Sequence, residues 1–343
     1  MGFVLVLIPS ITMLTILYGC FGLSTIFLFW AAFTKSTRVI GGKNNQGKSF
    51  GMVDAGRGLL AALLASGSVY LFDLSLVEAD IESPSLNQLK LALSNIIVLF
   101  SCLTLAGSLL VWFFIPDDQD LQQRSINKSS HSLLKPILEV SRKKAVWWQA
   151  IIILCSYVGY KCTDDFSLFA SDALNYNDVE AARLGTVSFW VRPLSAITAG
   201  LLADRFKSSK MLMLYFFLMA VGSFGLGFGT KYLNWGFFFL FNVVVSSIGI
   251  YGLRGLYFTL FEEAKIPLNL TGSATGLVSV IGFSPDIFMG PLMGFLTDRG
   301  DGAEGHQQLF LIVSAFALLG LVATFNFQKN QAGQKLPRLT DLT

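Results

Sequence analysis

The stretch ITMLTILYGCFGLSTIFLFWAAF, residues 11–33, holds no charged side chain across 23 positions. A helix needs about 20 mainly apolar residues to cross a hydrocarbon core, so this run is long enough to span a membrane. Runs of similar character follow at 51–72, 91–115, 145–163, 182–203, 211–229, 235–261, 272–297 and 307–327, which predicts nine complete spans. The apolar stub before them, GFVLVLIPS, is too short to cross and reads as the end of another helix. None of the runs alternates in the manner of barrel strands, and lipid demands a backbone satisfied within its own segment. The expected class is therefore an all-α membrane protein. Gly225 and Gly229, and Gly290 and Gly294, sit four apart, a spacing that lets helices approach closely.

Composition agrees with lipid as the solvent. Apolar residues make up 53% of the 343, charged ones 14%, and there are 31 phenylalanines. Soluble domains carry roughly 25% charged residues. The mean hydropathy is +0.60. A net charge of +3 is too small to call for nucleic acid. Cys20, Cys102, Cys155 and Cys162 lie in or beside apolar runs without the spacing of a zinc or redox pair. His131 and His306, the two histidines, fall in separate polar loops. They form no metal constellation and no evident catalytic base. The sequence therefore predicts a protein that is not an enzyme and needs no metal or cofactor.

Loop charges set the orientation, because cytoplasmic loops collect Lys and Arg. The 34–50 connector carries Lys35, Arg38, Lys43 and Lys48 and no acid, whereas 73–90 carries Asp73, Glu78, Asp80 and Glu82 against Lys90. The 116–144 loop is basic, 164–181 acidic, 204–210 basic, and the tail carries Lys329, Lys335 and Arg338. Loops 34–50, 116–144, 204–210 and 262–271 and the C-terminus are thus expected in the cytoplasm of a cell that keeps the protein in its inner or plasma membrane. Nine spans with that C-terminus start outside, so earlier helices are expected to be missing. The expected organisation is an incomplete N-terminal half at 1–115, a central cytoplasmic loop at 116–144, a six-helix C-terminal half at 145–328 and a tail at 329–343.

GLLADRFKSSK, Gly200 to Lys210, resembles the motif that joins paired helices in major facilitator superfamily transporters, through Gly200, Asp204, Arg205 and Lys210 in a basic turn. GPLMGFLTDRGDG, Gly290 to Gly302, is similar to the end of that family's helix 11, and the order of six helices, a long basic loop and six more also fits. FGMVDAGRG, YVGYKCTDD, IYGLRGLYFTLFEE and GFSPDIFMGPLMG resemble a bacterial subgroup similar to nitrate/nitrite and sugar-phosphate porters. The resemblance implies the major facilitator fold, two six-helix halves with about the first three helices absent here. It implies secondary active transport by alternating access, and a conformational switch at Gly200, Asp204, Arg205 and Lys210. A carboxylate such as Asp204 is suited to cap a neighbouring helix N-terminus.

Ionisable groups inside spans cost roughly 2.5–3.5 kcal/mol each on insertion scales and mark candidate functional sites. Arg57, Arg192 and Arg254 each lie roughly 10–12 Å deep at 1.5 Å per residue, and the resemblance puts them on the cavity-lining helices 5, 8 and 10. A guanidinium offers a planar fork for carboxylate, phosphate or sulfonate, so these three are candidate ligands for a small organic or inorganic anion. Arg57 has an alternative partner in Asp54, three residues earlier. Arg192 and Arg254 have no acid on the same face within a turn. Tyr157 and Tyr160 share a helix face with Lys161 or Asp164 and are further binding candidates. Asp164, Asp165, Asp286 and Lys161 are coupling candidates, since a carboxylate in a half-dry cavity can carry a proton. For Asp164 and Asp165 the plainer reading is a solvated helix end. Glu262 and Glu263 read as gate or surface residues at the cytoplasmic mouth.

Gly42 to Ser49 fits G-x-x-x-x-G-K-[ST], but a phosphate-cradling loop needs a strand before it and a nucleotide fold around it. Apolar spans flank it instead, so no nucleotide is expected, and Ser49 is expected to cap the next helix. The expected partners are a small anionic solute and the bilayer. The competing reading is a membrane protein without transport activity, a sensor, assembly partner or remnant.

Overall fold

Lipid offers no hydrogen bonds to an exposed backbone, and the regular elements among the described residues are all helices. The computed structural model describes residues 2–6, 10–24, 29–42, 45–77, 86–114, 134–174, 176–228, 235–300 and 302–333. The acidic connector 78–85, most of the expected central loop (115–133, with His131), Lys43, Gly229 and the tail from 334 lie outside them.

The helices run α1 (Gly2–Leu5), α2 (Ile11–Leu23), α3 (Trp30–Gly41), α4 (Gln46–Val77), α5 (Leu86–Phe114) and α6 (Leu134–Ser141). They continue as α7 (Lys144–Lys161), α8 (Phe166–Leu174), α9 (Asp178–Phe206), α10 (Ser208–Phe228) and α11 (Trp235–Leu256). The last four are α12 (Leu260–Glu263), α13 (Thr271–Gly282), α14 (Pro285–Arg299) and α15 (Glu304–Gly333). Seven helical stretches are long and apolar enough to cross a membrane, against the nine expected. Two differences account for this. The run 11–33 is described as separate helices on either side of 25–28, and α7 dilutes its apolar residues with Trp147, Trp148, Gln149, two tyrosines and a lysine at each end.

The acidic segment 164–181 is not a plain loop. A 3-10 turn at Cys162–Asp165 leads into α8, which buries Phe166, Phe169 and Ala170. Phe166 stacks on Phe310 of α15 at 5.5 Å between ring centroids. An apolar face on so short a segment can be buried only by folding back onto the bundle. The 272–297 run is likewise broken at Phe283–Ser284, with Pro285 opening α14, the position where a missing N–H costs least.

Helix α4 packs along α9 as the main seam between the chain before 115 and the chain after 145, and α3 packs on α13 as a second seam. The α4–α9 seam depends on absent side chains. A Cβ on Gly47 would come 2.6 Å from the Gly200 carbonyl oxygen, and one on Gly51 2.6 Å from that of Ala196. By contrast Gly290 and Gly294 face open space, so their spacing does not mark a tight helix crossing. Gly225, the other described member of the expected small-residue pairs, abuts Asn242. Helix α5 presents Leu103, Leu105, Leu109, Trp112 and Phe113 outward, a surface suited to lipid tails.

Candidate functional site

The basic turns gather at one end of the bundle. Helix α9 stops at Phe206 because Lys207 adopts a left-handed φ of 78°, and α10 restarts at once. Its first turn is capped by Glu263, whose Oε1 accepts from the Ser209 N–H at 2.9 Å. Asp204, in the last turn of α9, accepts from the N–H groups of Gly47 and Lys48 at 2.8 Å each. These are first-turn donors of α4, left unpaired by the helix itself, and a carboxylate there complements the helix dipole. Ser49 is therefore not the cap: the helix begins three residues earlier, at Gln46. Of the remaining switch candidates, Gly200 makes the close approach, Arg205 lies over the Phe206 ring at 5.3 Å, and Lys210 is exposed.

A second tie at this end was invisible in the sequence, where Arg38 counted only as a loop charge. Its side chain is 2% exposed and reaches from α3 across the second seam. Nη1 donates to Thr271 Oγ1 at 2.6 Å, and Nη2 to Glu262 Oε2 at 3.1 Å and to the Ile266 carbonyl at 3.0 Å. Burial draws this guanidinium below its ordinary value, an effect its bond to Glu262 opposes. Glu262 is thus an inter-helix partner rather than a free surface acid.

Two of the three predicted arginines engage one carboxylate, and the third lines the same small cavity. Arg192 Nη2 sits 2.8 Å from Asp54 Oδ1, with both side chains buried. Arg192 has no acid on the same face of its own helix within a turn, so sequence spacing could not show this partner. Arg57 Nη1 is 3.8 Å from the same oxygen; its guanidinium faces the rings of Trp30 and Phe33 at 5.1 and 5.5 Å. Arg254 is different. It is buried, it lies 3.7 Å from the Tyr160 ring centroid, and its Nε and Nη1 have no hydrogen-bond partner. A small cavity between these groups is lined by Trp30, Phe33, Asp54, Arg57, Arg254 and Tyr257. Three guanidinium groups against one carboxylate leave two positive charges uncompensated.

Toward the opposite end, Tyr157 donates to Asp286 at 3.1 Å, and Lys161 bridges Asp286 at 3.5 Å and Asp164 at 3.8 Å. The rings of Tyr157 and Tyr160 pack at 5.4 Å between centroids, tilted by 41°, which joins this group to Arg254. Asp164 is two-thirds exposed, as expected of a helix end. Asp165 is not: its side chain is 1% exposed and bonded to His306 at 2.8 Å. Asp165 thus leaves the solvated group, because the 3-10 turn directs it into the core while Asp164 points out.

The fold has counterparts among solved structures. The chain is similar to the Escherichia coli fucose:proton symporter FucP over 87% of its length and 73% of that protein's, with a TM-score of 0.61 at 17% identity. It is also similar to a bacterial homologue of the iron transporter ferroportin, solved in an outward-facing state, over 95% and 93% of the two chains with a TM-score of 0.54 at 15% identity. The fold is that of major facilitator transporters, and these neighbours are transporters rather than enzymes. No family model matches the sequence. Among curated proteins it resembles two inner membrane proteins of Escherichia coli strain K12. YqcE is 23% identical over 358 residues, covering 99% of this chain and 79% of YqcE. YihN is 22% identical over 344 residues, covering 98% and 78%.

Proposed function

We propose that this chain carries a small anion across an inner membrane by alternating access. The observation that carries the reading is Arg254: a buried guanidinium with two unpaired nitrogens beside a carboxylate already engaged by Arg192. Buried charges are normally paired, and a bound anion would supply the partner. The fold neighbours carry different cargo, one a sugar with a proton and the other related to an iron transporter, so they support transport and leave the solute to the site.

In this reading Arg254 and Arg57 grip the anion, Arg192 holds Asp54 in place, and Tyr157 and Tyr160 line the approach. Lys161, Asp164 and Asp286 form the outer vestibule and serve in coupling. The basic end is cytoplasmic, and the ties at Arg38 and Asp204 hold it shut while the segment 1–115 and the bundle 145–328 rock against each other. In this reading Gly42–Ser49 binds no nucleotide: Asp204 already engages two of its N–H groups, those of Gly47 and Lys48.

The test is a thermal-shift screen of the full chain in detergent against inorganic and organic phosphates, carboxylates, sulfonates and neutral sugars. A ligand that binds the native state raises the melting temperature by mass action. One anion class is expected to raise it, and Arg254→Ala to abolish that shift together with uptake in proteoliposomes. A shift given by neutral sugars alone, or an anion shift that survives Arg254→Ala, would sink the reading.

A further inference from the structure

His306 stands in the first turn of α15, at the end opposite the basic turns, and its ring is fully buried. Nδ1 is 2.8 Å from Asp165 Oδ2, and Nε2 is 3.0 Å from Asp172 Oδ2. Phe169 stacks on the ring at 5.0 Å and fixes its plane. Gly305 permits this placement, since a Cβ there would run into the Leu296 carbonyl. The two carboxylates are not alike: Asp165 is 1% exposed, Asp172 40%.

A neutral imidazole has one donor and one acceptor nitrogen. With a carboxylate against each nitrogen, the neutral ring would turn a lone pair on one carboxylate. The trio therefore needs one proton more than a neutral ring and two carboxylates contain. Because the acids sit on opposite sides of the ring, they do not converge on a point, and the described residues hold no cluster suited to a metal. The other ionisable groups nearby are Cys162, Asp164 and Lys161 in the adjoining turn and Glu304 on the same helix as His306.

We infer that Asp172, His306 and Asp165 form a proton relay from the outer face into the bundle. Asp172 takes a proton from solvent and passes it to Nε2, while Nδ1 passes its own hydrogen to Asp165. One proton enters and one leaves the ring. Asp172 ends as carboxylate, Asp165 as the acid, and the imidazole changes tautomer. Asp165 adjoins Asp164 along the chain, and Lys161 at the end of α7 contacts Asp164 and Asp286, so the buried end of the relay lies one residue from the outer vestibule. Its use in driving transport rests on the function proposed above; its proton binding does not.

The chain has two histidines, so His131→Gln leaves one imidazole for ¹⁵N NMR of the full-length protein in nanodiscs. The expected result is a His306 ring with both nitrogens protonated at pH 7, where a free imidazole with its midpoint near 6.5 is mostly neutral. Asp165→Asn and Asp172→Asn are each expected to weaken its hold on the proton about tenfold or more. Asp172→Asn is further expected to slow solvent exchange of the Nδ1 hydrogen by the same order. A single neutral tautomer from pH 5 to 8 in the His131→Gln protein would overturn proton binding. Exchange at Nδ1 unaffected by Asp172→Asn would overturn the route. Neither readout needs a substrate, so the relay and the Arg254 site stand or fall separately.

Discussion

Asp54 of α4 and Arg192 of α9 form a buried ion pair with a 2.8 Å contact across the seam where the early and late parts of the chain meet. The pair lies where the glycine contact of Gly47, Gly51 and Gly200 brings the two helices together. Removing one member of such a pair leaves an uncompensated charge and costs about 3–5 kcal/mol. Asp54→Asn is therefore expected to lower the melting temperature sharply, because it strands Arg192 and Arg57 together. Arg192→Met should cost less, since Arg57 remains to compensate Asp54. Thermal unfolding of both variants in the same detergent checks the order; equal losses would show that Arg57 contributes nothing to holding Asp54.

Arg254 is expected to behave in the opposite sense. Its Nε and Nη1 are buried without partners, so the folded state bears a desolvation cost that the Tyr160 ring and the nearby Asp54 charge offset only in part. Arg254→Met keeps the volume and removes the charge. It should raise stability by about 1 kcal/mol, in the direction seen when buried ionic groups are replaced by apolar residues of similar volume, and, on the proposed function, abolish anion binding. Gain of stability with loss of binding is the signature of a site that carries strain for function. A fall in melting temperature would instead mean that the cation–π contact at 3.7 Å is a structural bond.

The two ties at the basic end make a prediction about conformation. Arg38→Ala removes three bonds that tie α3 to α12, to the following loop and to the start of α13, and Asp204→Ala uncaps α4 at a cost of about 0.5–2 kcal/mol. Each should shift the population toward a state open at that end. Thr37, 4% exposed beside Arg38, reports this. In a background with the four native cysteines replaced, Thr37→Cys should label with a membrane-impermeant maleimide several-fold faster when either tie is cut. Unchanged labelling in both would show that neither tie closes the bundle.

How far the sequence could reach follows from what each signal depends on. The helical class and the membrane-spanning character are properties of one segment at a time, and runs of apolar residues report them. The Asp204 contact was legible as a capping carboxylate from its motif, though the helix it caps starts earlier than Ser49 suggested. What stayed hidden are relations between segments distant in the chain: Arg192 with Asp54, Arg38 with Glu262, His306 with Asp165 and Asp172, separated by 138, 224, 141 and 134 residues. His306 looked like a loop residue because a lone histidine beside glycines has no periodic signal. The acidic segment 164–181 hid a short helix because FSLFASDAL is too brief to display a clear face.

Gly200 makes the strictest demand on the α4–α9 seam. A Cβ there would approach the Gly47 carbonyl oxygen within 2.5 Å, the Gly47 carbonyl carbon within 3.1 Å and Gly51 Cα within 3.1 Å. All three are backbone atoms, which cannot rotate aside as a side-chain end can. Gly200→Val must therefore push the helices apart, and the displacement reaches two polar contacts on the same seam: Asp204 with the start of α4, and Arg192 with Asp54. Overpacking of this kind costs about 1–3 kcal/mol by itself, and the stretched ion pair adds to it. Gly200→Ala tests the same contact with one methyl group. The expected order of stability is native, then alanine, then valine, with the Thr37→Cys reporter labelling faster in the same order. Wild-type stability in Gly200→Val would mean that the seam tolerates a wider spacing and that the glycines do not set the distance between α4 and α9.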